Sequence, residues 1–154
     1  RNHLPPLLRE APVWELLYST QVHGISLSTL YRNSSDSGPC LVVLKDDSDG
    51  VFGGFVNQSI HVSTGFYGDD TSFLFKILDD KSVKVWKATG ENNYIVFTDH
   101  NCIAFGGGSG KFGLWVDQEL YNGHSESCKA FGNDKLSKQS EFKIQDLEIF
   151  KFKI

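Results

Sequence analysis

Three groupings of side chains have types and spacings with chemical meaning. His23 and Ser26 place an imidazole base three residues before a hydroxyl nucleophile. A catalytic pair is defined by mutual geometry, however, and spacing alone does not supply it. The structural alternatives are a turn residue at His23-Gly24 and a helix N-cap at Ser26, whose hydroxyl oxygen would accept a backbone N–H. Cys128 follows His124 by four residues and precedes Lys129. A neighbouring cation lowers a thiol's pKa and favours the reactive thiolate, whereas a core cysteine behaves as a small hydrophobe. The same His124 and Cys128 have usable zinc spacing, but a tetrahedral site wants a second pair and the sequence has none. No metal and no cofactor is therefore expected.

The third grouping is acidic: Asp46, Asp47 and Asp49 crowd one short segment before Gly50. Aligning Gly50 with the glycine of a calcium loop puts Lys45 at the first ligand position and Val56 at the closing glutamate, which excludes that loop. Acidic Asp-Gly turns are ordinary hairpin chemistry, with a weak cation site at these three aspartates as the alternative. A glycine stretch, Gly106-Gly107-Gly108-Ser109-Gly110-Lys111, lies between two apolar runs, Ile103–Phe105 and Phe112–Val116. As a phosphate cradle it fails, because Phe105 stands where the first glycine belongs and Phe112 where a Ser or Thr belongs. A nucleophile elbow fails because Lys111 replaces its last glycine. Gly106, Gly107, Gly108, Gly110 and Trp115 are accordingly read as structural, with positive φ or close approach excluding a Cβ.

These candidates must be positioned by a chain of 154 residues, one domain by length, able to bury about two-thirds of its unfolded surface. Twelve Phe, five Tyr and three Trp with fifteen Gly point to aromatic strands punctuated by turns. A formal charge of −4 offers nothing to nucleic acid or anionic lipid. No apolar run reaches transmembrane length, so direct membrane insertion is not expected. Cys40, Cys102 and Cys128 form no close pair, which fits a reducing compartment and a cytoplasmic location. The chain begins without Met and reads as a piece of something longer.

In order, Leu4-Pro5-Pro6 is an extended lead-in and Val13–Ser19 a buried strand. His23-Gly24 turns into a short helix capped by Ser26, with Leu27, Leu30 and Tyr31 on one face. Leu41–Lys45 and Val51–Val56 form a hairpin around Asp46–Gly50. Phe66-Tyr67-Gly68 turns before strands at Ser72–Ile77, Val83–Trp86 and Tyr94–Thr98. Beyond the glycine stretch, Asp117–Glu126 is polar, and Ile144–Ile154 alternates apolar with lysine as a final strand. The expected fold class is α+β, mostly β: a sandwich of two antiparallel sheets with a few short flanking helices.

The segments Trp14-Glu15-Leu16-Leu17-Tyr18-Ser19-Thr20, His23 to Arg32, Val51-Phe52-Gly53-Gly54-Phe55, Phe66-Tyr67-Gly68, Gly106 to Trp115, Gly123 to Cys128 and Phe131-Gly132-Asn133 stand in a telling order. Together they resemble the TLDc domain of the oxidation resistance protein family, over nearly the whole chain. Departures from the family pattern are Leu7-Leu8 before Arg9, Asp69-Asp70-Thr71 in place of a Gly-Glu pair, and Lys87-Ala88 between Trp86 and Thr89-Gly90. A helix usual upstream of Leu-Pro-Pro is lacking, so residues 1–154 read as one slightly truncated TLDc domain. The resemblance implies the two-sheet sandwich, protection from oxidative damage, and binding to cytosolic subunits of the vacuolar-type proton pump, promoting its disassembly. It implies recruitment to organelle membranes through that pump and leaves mitochondrial and nuclear pools open. No catalytic residue comes with it. The expected protein is therefore a monomeric, non-catalytic interaction domain, with His23, Asp46, Asp47, Asp49, His124 and Glu126 on contact loops. The alternative is an antioxidant or hydrolytic enzyme using His23 and Ser26, or Cys128.

Overall fold

A computed structural model describes residues 13–108 and 110–153; the Leu4-Pro5-Pro6 lead-in, Ser109 and Ile154 lie outside them. Among the described residues ten strands form: β1 (Val13–Ser19), β2 (Cys40–Asp46), β3 (Val51–Val56), β4 (Phe73–Ile77), β5 (Val83–Lys87), β6 (Val96–Thr98), β7 (Cys102–Phe105), β8 (Leu114–Asp117), β9 (Asn122–His124) and β10 (Glu141–Lys153). Two short helices, α1 (Thr20–His23) and α2 (Leu27–Ser34), separate β1 from β2. All pairings are antiparallel.

The thirteen-residue β10 belongs to both sheets. Its first residues, Glu141 to Lys143, pair with β9, from which the ladder continues through β8 and β7 to β6. From Ile144 onward it pairs with β2, whose ladder continues through β3 and β4 to β5, and from Glu148 onward it pairs with β1 on its other side. The register slips between Ile144 and Asp146. An extra residue in one strand reverses which side chains face inward. Phe142 and Ile144 point into the main core before the slip, Leu147 and Ile149 after it. One strand thereby turns a corner and closes the sandwich.

The two sheets face each other through a core that includes Phe52, Leu74, Phe105, Leu114, Leu147 and Ile149, all fully buried. Each such side chain contributes roughly 1.5–3 kcal/mol relative to exposure. Packing is close enough that a Cβ on Gly54 of β3 would stand 2.6 Å from the Phe105 ring of β7. Phe55, Phe73, Phe75 and Phe152 form a second aromatic cluster on the opposite face of the β2–β4 sheet, with Phe55 and Phe73 stacked at 5.2 Å. The helix α2 buries Leu27, Leu30 and Tyr31, as its spacing predicts. Tyr31 donates to the carbonyls of Asp99 (2.6 Å) and Cys102 (3.0 Å), tying α2 to the β6–β7 turn.

The sandwich and the hairpin at Asp46–Gly50 match the sequence expectation. Several elements differ from it. The final strand begins at Glu141 rather than Ile144, and β1, expected to be buried, leaves Leu16 exposed. The turn at His23 is preceded by the helical turn α1, capped by Ser19, and the polar stretch Asp117–Glu126 contains β9. The glycine stretch also differs in detail. Positive φ occurs at Gly106, Gly108 and Gly110 but not at Gly107, where crowding by Phe66 and Tyr94 limits a Cβ instead.

Gly106 combines both constraints, since its Cβ would lie 2.5 Å from Cys128 Sγ and 2.8 Å from the Phe131 ring. Gly110 has positive φ with open space around it. Gly106→Ala is expected to cost about 3 kcal/mol, clash plus strain, against about 1 kcal/mol for Gly110→Ala. Thermal melts should then show drops of about 6–12 °C and about 2–4 °C respectively. Equal drops would contradict the crowding account.

Candidate functional site

Directly paired residues on neighbouring strands share a face. Trp115 of β8 pairs with His124 of β9, and His124 pairs with Glu141 of β10. These three form one row across the outer face of the sheet. Asn122 and Lys143, also paired, form the next row on that face. Between them Val116, Gly123 and Phe142 are buried; the Phe142 ring lies where a Gly123 side chain would be, at 2.2 Å from an added Cβ. Glycine here lets β9 lie flat on the core while its neighbours project outward.

The β2–β3 hairpin tip and the segment from Ser137 to Gln139 rise beside these rows and complete a cleft of about 520 Å³. Asp47, Ser48, Ser137 and Gln139 line those walls; Trp115, His124, Glu141 and Lys143 line the rest. The volume is in the range of ligand-binding clefts.

The wall is rigid because of Asp46, which is 1% exposed. One carboxylate oxygen accepts the Ser48 N–H (2.9 Å) and the Gly50 N–H (2.7 Å). The other accepts the Ser137 hydroxyl at 2.6 Å. Hydrogen bonds to an ionised acceptor are about twice as strong as neutral ones. Asp46 therefore joins both walls from below rather than offering a contact surface. Asp47 is exposed, and its backbone N–H donates to the Lys143 carbonyl at 3.0 Å. Asp49 stands outside the cleft in the left-handed region (φ 65°), beside Lys45 at 3.6 Å.

Of the other sequence candidates, His124 lines the cleft and Glu126 does not. The Ser140 hydroxyl and nearby His124, Lys111 and Lys135 hold the Glu126 carboxyl below its usual range. His23 and Ser26 are not hydrogen-bonded to each other among the described residues. His23 Nδ1 accepts the Ser19 N–H (3.0 Å), and its ring stacks on Tyr18. Ser26 Oγ accepts the Thr29 N–H (3.2 Å) as the α2 cap. Tyr18 locks the intervening loop, donating to the Gly24 carbonyl and accepting the Ser26 N–H. Both residues are thus occupied in building the α1–α2 connection.

Cys128 is buried, its Sγ 3.2 Å from Asn133 Oδ1, and points away from the β9 cleft into the core beside Gly106. It shares no site with His124, and no group of three metal-ligating side chains occurs among the described residues. Burial pushes the Cys128 and Cys40 thiols up. Burial, then the charge of Asp99, pushes Cys102 up to about 11. A thiol raised in this way keeps its neutral form at pH 7, opposite to the reactive thiolate that the Lys129 neighbour suggested. The lining residues Asn122, Glu141 and Lys143 were not singled out from sequence; the apolar–polar alternation flanking Gly123 is too short to announce a strand.

The fold and these motifs define a TLDc domain, and the chain belongs to that family, whose model matches residues 1–153. It is 47% identical to oxidation resistance protein 1 of Bos taurus over 153 residues, 99% of this chain and 17% of that protein. It is 45% identical to oxidation resistance protein 1 of Homo sapiens over 98% of this chain. Nuclear receptor coactivator 7 of Mus musculus is 41% identical over 97% of this chain, and 16% of its own length is covered. The chain spans about a sixth of the curated relatives it matches.

The thiol environments carry a direct test. Stability contributed by a neutral buried thiol is fully present below the unfolded pKa of about 9 and is lost as pH rises through the higher folded value. Iodoacetamide at pH 8 should leave Cys40, Cys102 and Cys128 unmodified in the folded chain and label all three in denaturant. Rapid labelling of folded Cys128, read by mass spectrometry, would restore the thiol-enzyme reading.

Proposed function

We propose that this domain is a non-catalytic interaction module serving protection against oxidative stress, and that it acts by binding cytosolic subunits of the vacuolar-type proton pump and promoting their release. The family membership and the relatives named for oxidation resistance support the first part. The pump is supported by the TLDc resemblance.

The observation that favours binding over catalysis is the fate of the nucleophile candidates. His23 and Ser26 are committed to one loop, and Cys128 is buried with its thiol raised. What the fold presents instead is a rigidly walled cleft with polar and charged side chains, a mounting suited to recognition. The test is capture from cell lysate with the folded chain as bait, then an acidification assay on pump-bearing vesicles. Pump subunits should be retained, and added domain should reduce ATP-driven acidification. Neither effect at micromolar domain, in low and in physiological salt, would remove the pump from this account.

A further inference from the structure

The β8–β9–β10 cleft has a charge pattern that selects its occupant. We propose that it receives an arginine side chain from a partner protein. Asp47 projects from the hairpin wall and Glu141 from the outer sheet face, and among the described residues neither takes part in an ion pair. The one lysine lining the cleft, Lys143, donates to Asn122 and lies 5.0 Å over the Tyr121 ring, so its charge is already held at one edge. Two carboxylates without cationic partners among the described residues therefore share a cavity of about 520 Å³ with the half-buried indole of Trp115.

That combination fits guanidinium better than ammonium. A planar, weakly hydrated cation stacks on an aromatic face while its fixed fork of N–H groups reaches carboxylates. Lysine offers a compact, strongly hydrated charge that benefits less from Trp115. An anion would meet Asp47 and Glu141. The site is also preorganised: the Asp46 clamp and the Asp47–Lys143 backbone bond fix the wall before any ligand arrives, which lowers the cost of binding. Trp and Arg are the residues that most often dominate binding energy at protein interfaces.

This specifies the partner chemistry of the interaction module and rests on that reading only in taking a protein as the source of the arginine. The probe is N-acetylarginine amide, titrated into the isotopically labelled chain and followed by amide and indole resonances. Saturable shifts should appear at the Trp115 indole and the Gly123 and His124 amides, with affinity in the millimolar range expected of a single side chain. The uncharged isostere N-acetylcitrulline amide should bind about 10-fold more weakly, and N-acetylglutamate amide should give no saturable shift. The exposed-residue double variant Asp47→Asn/Glu141→Gln should weaken arginine binding by about 10-fold while the melting temperature stays unchanged. Equal arginine and citrulline affinities, preference for glutamate, or unsaturable shifts scattered over the surface would overturn the inference. A chain that takes the arginine probe but retains no pump subunits keeps the inference and loses the pump. Undiminished pump capture by the double variant keeps the pump and overturns the arginine cleft as its docking site.

Discussion

A single buried carboxylate sets the geometry on which the rest of this domain depends. Asp46 ends β2 at the point where its partner β10 slips register and passes from one sheet to the other. Its three hydrogen bonds close the hairpin tip and bind it to the segment leading into β10. A carboxyl group this deeply buried is tolerated only where its acceptor capacity is used. Here the donors are two backbone N–H groups and one hydroxyl, all from segments that would otherwise be independent loops. The corner of the sandwich and the wall of the cleft are consequences of the same contact.

From that corner the two sheets follow. The change of phase between Phe142–Ile144 and Leu147–Ile149 keeps apolar side chains inward on both sides of the slip. Close approach of the sheets then requires that bulk on one be met by its absence on the other, as at Gly54 of β3 against Phe105 of β7. The aromatic richness of the chain is thus matched by its glycines. The cleft lies on the solvent side of the same sheet, where the alternate residues of β8, β9 and β10 project.

Much of this was legible in the sequence. The Asp46–Gly50 hairpin, the α2 cap at Ser26 and the long final strand follow from local rules that the tertiary structure does not override. The TLDc resemblance is borne out by the family match and by relatives sharing nearly the full chain. The site was less legible. Asp46 looked like its neighbours Asp47 and Asp49, because burial depends on Ser137, ninety-one residues away. β9 has only three residues with glycine at its centre, so no alternation could be read. His124 and Cys128 looked like a pair, yet the chain between them leaves the sheet and sends one outward and the other into the core.

Asp46 also connects the fold to the functional account, since recognition by a rigid cleft requires that its wall be fixed. The most direct measurement is a double-mutant cycle on Asp46→Ala and Ser137→Ala by urea unfolding, with hydrogen exchange at Ser48 and Gly50. Losing the acceptor of one buried and two part-buried donors should cost about 3 kcal/mol, and the two substitutions should be non-additive by roughly 1–2 kcal/mol. The Ser48 and Gly50 amides should lose protection while those of β7 keep it. An Asp46→Ala chain with unchanged stability and unchanged protection at the hairpin tip would contradict the claim that this carboxylate holds the corner and the cleft together.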